Sequence, residues 1–326
     1  MINMPRFTWR KLGHLFSPQT SLVPHWMHTH AQTPSVLQKR DCLRIFFCTR
    51  PPADSAGLFV SLIGYVDVEL TNLFQIIGVS QTPVLELGQR GSFDEFGTNP
   101  VSIIATEKGD ARAYYAGWTR CDSVPFNAAI GIAVSHDNGD SFRRLGSGPV
   151  LAYSLDEPFV VGSPKVRHFN GIWYMHYAAG RRWLKTHGRP EPVYRIRCAT
   201  SQNGIEWNKE GRDIISPMFG EDECQAGADI VKYKGRFHMF FSFRQATDFK
   251  NKDRGYRIGY AVSDDMLNWS RCDSSAGIGV SSTGWDSQMV SYAHVFDFNG
   301  ALHMLYQGND MGRSGFGAAV LESYQT

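Results

Sequence analysis

Ser163-Pro164-Lys165-Val166 lies 64 residues after Asn99-Pro100-Val101-Ser102 and 64 before Gly227-Ala228-Asp229-Ile230. Working outward, Thr33-Pro34-Ser35-Val36 stands 66 residues upstream of the first, and Tyr292-Ala293-His294-Val295 stands 65 downstream of the last. Each is a small or polar residue, often Pro, that opens a short apolar run. Five units at so even a spacing mark an internal repeat.

Every unit continues in the same way. A second aromatic-rich run follows: Leu43 to Phe47, Ala111 to Trp118, Ile172 to Tyr177, Arg236 to Phe243 and Ala301 to Tyr306. Alternation and β-branched or aromatic content favour strands. A third run, Gly131 to Ser135, Arg197 to Ser201 or Gly259 to Ser263, ends in a polar corner of hairpin type. The aromatic beyond each corner (Phe142, Trp207, Trp269) opens a fourth strand and suits packing between sheets. Four strands repeated five times predict an all-β, five-bladed β-propeller with four-stranded antiparallel blades. Only 33 residues follow Ala293, enough for three strands, the third being Phe316 to Leu321. The segment near Phe7 to Leu15 is therefore expected to supply the missing outer strand, closing the ring and removing exposed edges. The reading is one domain over residues 1–326, with blades starting near 28, 94, 157, 223 and 286.

Composition narrows the function. The 326 residues are 42% hydrophobic, 13% aromatic and 20% charged, which excludes a largely disordered chain. Lys+Arg 33 against Asp+Glu 31 leaves +2, so a dedicated nucleic-acid binder is not expected. The most apolar window, Leu58 to Leu70, holds Asp67 and Glu69, so no membrane span is expected. The N-terminal basic residues lack a following apolar core and do not read as a secretory signal. Cys42, Cys48, Cys121, Cys198, Cys224 and Cys272 are scattered without a CxxC pair, which suggests reduced thiols and a cytoplasmic protein. The oligomeric state is left open.

In a propeller, the loops leading into the innermost strands converge on one mouth. Here they are polar: His28-Thr29-His30-Ala31-Gln32, Asp94-Glu95, Asp156-Glu157, Glu221-Asp222-Glu223 and Trp285-Asp286-Ser287-Gln288. Carboxylates lead four of the five blades. Crowded carboxylates raise one another's pKa, so one can act as acid and another as base, which suits glycoside chemistry. Glu95, Glu157, Glu223 and Asp286 are the candidate catalytic residues. Each has a competing role as a loop cap or an ion-pair partner. His28, His30 and Gln32 are candidates for orienting a substrate. Arg50, Arg244, Arg257 and Arg313, with the Arg181-Arg182 pair, could grip an anionic or hydroxyl-rich part or neutralise the acidic ring. Trp118, Trp183 and Trp285 are candidate sugar platforms or interblade packing. Asp67, Asp94, Asp156, Gln288 and Asn309 complete the candidate binding residues. No cofactor is expected. A divalent metal in the central funnel stays open, with His28 and His30 as its first ligands.

With five blades and acidic leading loops, the chain resembles the five-bladed propeller glycoside hydrolases of families 32, 43, 62, 68 and 130. It is more closely similar to cytosolic glycosidase-like proteins associated with bacterial surface-polysaccharide synthesis. The resemblance is carried by His30 to Pro34, Gly64 to Asp67, Phe93 to Gly97, Asp156 to Phe159, Tyr256 to Ala261, Trp285 to Ser287 and Gly315 to Gly317. It implies a glycan-active enzyme, hydrolytic or transferring, with a carbohydrate or a nucleotide- or lipid-linked sugar as substrate. It departs from the family pattern at two places. The family 43 base, an Asp before the blade-one Pro, is here Thr33. The general-acid Glu two residues before the blade-three Pro is here Gly162. Glu223-Cys224 resembles the family 32 acid motif but falls in blade four. The alternative is a non-catalytic glycan-binding or assembly propeller. A weaker one is a sialidase-like enzyme, prompted by the Asp-box-like turn Ser135 to Phe142.

Overall fold

A computed structural model describes residues 4–106, 110–186 and 188–326. It contains twenty strands in five four-stranded antiparallel sheets arranged as a ring, with almost no helix. Blade one is β2 (Thr29–Gln38), β3 (Cys42–Arg50), β4 (Leu62–Glu69) and β5 (Ile76–Val79). Blade two is β6 (Thr98–Ala105), β7 (Ala111–Thr119), β8 (Asn127–Ser135) and β9 (Arg143–Arg144). Blade three is β10 (Val161–Phe169), β11 (Ile172–Leu184), β12 (Glu191–Ser201) and β13 (Asn208–Asp213). Blade four is β14 (Glu223–Tyr233), β15 (Arg236–Gln245), β16 (Arg257–Ser263) and β17 (Ser270–Arg271). Blade five is β18 (Ser291–Phe298), β19 (Ala301–Gln307) and β20 (Phe316–Gln325), completed by β1 (Arg6–Phe16), which pairs antiparallel with β20. The N-terminal closure expected from the count of strands is thus observed.

The repeated marker has a physical meaning. Each innermost strand breaks register with its neighbour at the marker, between Gln32 and Ser35, Thr98 and Val101, Gly162 and Lys165, Ala226 and Asp229, and Ser291 and His294. The residue before the marker takes a left-handed conformation in four blades: Thr33, Ser163, Gly227 and Tyr292. Blade two instead holds the cis Asn99–Pro100 bond there. These are β-bulges, which bend the strand and re-aim the side chains that follow.

The re-aimed side chains tie neighbouring blades together. Ser35 Oγ accepts from the Ile103 N–H, and Ser102 Oγ from the Val166 N–H. Arg167 of blade three pairs with Asp229 of blade four. Asp229 accepts from the Val295 N–H of blade five at 2.6 Å, and the Val36 N–H of blade one donates to His294 Nε2 at 3.2 Å. A polar girdle therefore runs once round the axis, satisfying backbone groups that the bulges free. Burial pushes the Asp229 pKa up, but Arg167, His294 and Lys165 outweigh it and hold it below the usual carboxylate range.

The girdle makes stability pH-dependent. Burial drives His294 down to about 4 despite Asp229, and His176 down to about 3 with Arg167 adding to the effect. Both are fully enclosed and neutral in the fold, whereas the unfolded chain protonates them near 6.5. Between these values the unfolded state binds more protons, so stability falls as pH is lowered from 6.5 towards 4. The slope is up to about 1.4 kcal/mol per pH unit for each ring. The Asp229 contribution, from a depressed carboxyl, is lost only at lower pH. Urea midpoints measured at steps from pH 7 to 4.5 are expected to fall already above pH 5. A flat midpoint down to pH 5 contradicts the assignment.

Candidate functional site

Residues from all five blades frame a basin of about 290 Å³, with bulge residues Thr33, Asn99, Ser163 and Tyr292 in its lining. Blade one contributes Gln32, Thr33, Arg50, Phe59 and Ser61, and blade two contributes Asn99, Trp118 and Phe126. Blade three contributes Arg189, Glu191 and Tyr194, blade four Arg244, Phe249 and Tyr256, and blade five Tyr292, Gln307 and Met311. Aromatic faces from all five blades surround amides, hydroxyls and three guanidinium groups. Glu191 is the one carboxylate among these lining residues.

Several contacts hold the basin's shape. Gln32, nearly buried, donates to the Met311 carbonyl at 2.5 Å and accepts from Asn99 Nδ2 at 3.0 Å, linking blades five, one and two. The Tyr194 and Tyr256 hydroxyls meet at 2.5 Å between blades three and four. Trp118 donates to Ser61 Oγ at 2.8 Å. Glu191 opens β12 and accepts from Arg189 Nε at 3.2 Å. Burial and then Arg189 push Arg50 down to about 10. Burial, Arg50 and Arg313 push His30 down to about 3, so this ring is neutral.

Of the side chains expected from the sequence, Gln32, Arg50, Trp118 and Arg244 line the basin; the four carboxylates do not. Glu157 is fully buried inside blade three. It accepts from Tyr177 Oη at 2.8 Å and Arg197 Nη1 at 2.9 Å, and it pairs with Lys209. Glu223 is equally buried, held by Arg271 at 2.7 Å, Gln225 and the backbone N–H groups of Met218 and Phe219. Asp286 pairs with Lys11 at 2.6 Å and accepts from Tyr306 Oη at 3.0 Å. In blade two the equivalent clamp uses Asp94, with Arg144 at 2.7 Å and Tyr115 at 2.9 Å. Glu95, beside it, is half-buried and caps the Gly91 N–H at 2.8 Å.

The repetition of carboxylates is therefore the repetition of a clamp. One acid in the leading loop ties the outermost strand of its blade through Arg144, Lys209, Arg271 or Lys11. This places Glu157, Glu223 and Asp286 in separate blades rather than together in one pit. Glu157→Gln is expected to destabilise the fold by about 3–5 kcal/mol, because it leaves Lys209 without a counter-ion and Arg197 with only the partly exposed Asp213. Urea denaturation reads this directly. A variant as stable as the parent would show that the clamp carries no weight.

The remaining candidates are dispersed. His28 is exposed, and His30 takes a left-handed conformation with Nδ1 2.9 Å from Thr29 Oγ1, which breaks the strand alternation expected to align the two rings. Asp67 pairs with Arg44 at 2.7 Å, away from the basin. Asp156, Gln288 and Arg313 are exposed. Arg257 binds the Tyr256 and Gln288 carbonyls, and Asn309 caps the Gln288 and Met289 N–H groups. Arg181 and Arg182 pair with Asp213 and Asp222. Trp183 packs on Phe126 and Phe159, and Trp285 on Tyr306. Among the described residues, no group of three or more His, Cys, Asp or Glu comes together to hold a metal ion. None of their helices is long and apolar enough to cross a membrane.

The residues that sequence reasoning missed lie mainly in the connections between second and third strands. In an antiparallel sheet these open at the same end as the loops leading into the first strands. Arg189-Pro190-Glu191-Pro192, joining β11 to β12, brings both Arg189 and Glu191 to the rim. The signal available in the sequence was an acid set between two prolines, Pro190-Glu191-Pro192, a pattern found nowhere else in the chain.

No protein-family model matches the chain. The uncharacterized protein Rv1502 of Mycobacterium tuberculosis (strain H37Rv) is 36% identical over 317 residues, covering 97% of this chain and 99% of its own. A 1,2-beta-oligomannan phosphorylase of Thermoanaerobacter sp. is 30% identical over 142 residues, 43% of this chain and 40% of the enzyme. A solved structure from the GH130 family of mannoside phosphorylases and glycoside hydrolases superposes with a TM-score of 0.70 at 15% identity, over 98% of this chain and 95% of that one. The fold is thus that of the five-bladed propeller glycosidases.

Proposed function

Because the chain belongs to the same family as the mycobacterial protein Rv1502 and has a glycosidase-like propeller fold, we propose that it is a glycan-active enzyme working in the central basin. The observation that carries this reading is the make-up of the basin. Trp118, Phe126, Phe249 and the tyrosines offer flat faces to sugar C–H groups, while Gln32, Asn99, Gln307 and the guanidinium groups hydrogen-bond to hydroxyls. We place proton transfer at the glycosidic oxygen on Glu191, the carboxylate that lines the basin. Hydrolysis between two facing carboxylates asks for a second such group. A transfer, in which the acceptor brings its own nucleophilic oxygen, asks for one. The setting we propose is surface-polysaccharide metabolism in the bacterial cytoplasm, which rests on the resemblance in sequence.

The second reading, glycan binding without turnover, is favoured by the clamping of Glu157, Glu223 and Asp286 inside their blades. One experiment separates the two. The protein is incubated with a panel of oligosaccharides and nucleotide-sugars, with and without inorganic phosphate, and the products are read by mass spectrometry. A cleaved or transferred sugar is the expected result. Sugar binding by calorimetry with no product from any member supports the second reading and removes the enzyme.

A further inference from the structure

Three of the deeply buried arginines of this chain follow a rule, while Arg195, outside the basin, binds the Gly220 and Glu221 carbonyls and reaches Glu221 only at 4.0 Å. Arg44 is paired with Asp67 and Asp140, Arg197 with Glu157 and Asp213, and Arg271 with Glu223 and Asp273. Arg244 breaks it at the wall of the basin. Its residue is 4% exposed, yet among the described residues no carboxylate pairs with it. Nη1 donates to the Gln245 and Ala246 carbonyls, while the buried Nε has no partner. Aromatic rings support the guanidinium: Phe249 at 3.8 Å, Tyr256 at 5.3 Å and Tyr194 at 5.6 Å.

Arg50, across the basin in blade one, repeats the pattern. It lies over Phe59 at 3.9 Å, its Nε is buried without a partner, and no carboxylate pairs with it among the described residues. Arg189 lines the same basin, and burial and then this second positive charge hold the Arg50 pKa below its ordinary value. Three arginines thus meet one carboxylate, Glu191, which is already engaged by Arg189. Desolvated guanidinium groups without a counter-ion are costly, and ring faces offset only part of that cost.

We propose that the sugar taken by the basin carries an oxyanion, a carboxylate or a phosphate, and that Arg244 and Arg50 seat it with Arg189 at the rim. The proposal rests on the glycan reading above and adds the charge of the substrate to it. Planar guanidinium forks match both oxyanions, so the geometry selects the charge and the binding test selects the group.

The test is calorimetry with hexuronic acids and hexose 6-phosphates, each paired with its neutral hexose, and with inorganic phosphate alone. At least one acidic member is expected to bind about tenfold or more tightly than its neutral partner. Arg244→Gln and Arg50→Gln should each weaken that member by about 10- to 100-fold, and its neutral partner, which loses only a hydroxyl contact, by a clearly smaller factor. Arg244→Lys, which keeps the charge and loses the fork, should fall between. Circular dichroism and urea midpoints confirm that each variant is folded. If Arg244→Gln does not fold, Arg50→Gln decides. Which acidic partner wins separates carboxylate from phosphate. Equal binding within every pair overturns the proposal while any neutral binding keeps the glycan reading. Inorganic phosphate binding as tightly as the best acidic sugar overturns a sugar-borne anion. Failure of every sugar, charged or neutral, overturns both.

Discussion

A chain that starts at Ser17 is expected to be unfolded under conditions where the full chain is folded. The eleven residues of β1 bury Phe7, Trp9, Leu15 and Phe16. Phe7 and Trp9 pack with Phe240, Ile258 and Tyr260 of blade four, and Trp9 Nε1 donates to the Ala276 carbonyl at 3.1 Å. Leu15 and Phe16 pack with Leu43, Ile45 and Phe47 of blade one. One strand thus joins the blades on both sides of blade five, and it also carries Lys11, the partner of Asp286. Burial of four such side chains contributes about 6–12 kcal/mol. That is comparable to the whole net stability of a typical domain, about 5–15 kcal/mol. Removal also uncovers the edge of β20. Far-ultraviolet circular dichroism and tryptophan fluorescence of the truncated chain should show loss of the cooperative transition. Adding the peptide of residues 1–16 should restore part of it. A truncated chain that melts cooperatively at the parent temperature would place ring closure elsewhere.

Glu191→Gln should leave the fold intact and lower turnover by about 10²–10⁴-fold, the range for loss of a positioned proton-transfer group. Its contact is Arg189, whose side chain is 62% exposed, so the pair adds about 0–1 kcal/mol to stability. The amide keeps the shape and a hydrogen-bond acceptor for Arg189 but cannot exchange the proton. The effect should therefore fall on kcat, with KM for the same sugar little changed. The contrast with Glu157→Gln is diagnostic. Glu191→Gln is expected to cost turnover with little stability, and Glu157→Gln to cost stability from inside its blade. Unchanged turnover in Glu191→Gln on a substrate that the parent cleaves or transfers would remove Glu191 from the reaction.

The strands, their order and the closing role of residues 6–16 were legible in the chain because they rest on local signals: alternation, hairpin corners and the five markers. The markers proved to be bulges, and the residue after the marker in four blades, Ser35, Lys165, Asp229 and His294, falls on the polar girdle, with Ser102 one place further on in blade two. The leading carboxylates were legible as positions but not as roles. Asp94, Glu157, Glu223 and Asp286 recur because every blade needs its outer strand tied. A substrate site on a pseudo-symmetric ring has no such need to recur. Arg189-Pro190-Glu191 occurs once, and Arg244 differs from Arg44, Arg197 and Arg271 in lacking an acid, which only the folded chain reveals.

Sequence alone therefore determined the architecture, since strand period, turn chemistry and repeat length act over a few residues and add up along the chain. Tertiary structure alone decided which side chains share the basin. That depends on which end of each blade a loop leaves from and on which charges are already neutralised within a sheet, both set by partners dozens to hundreds of residues away.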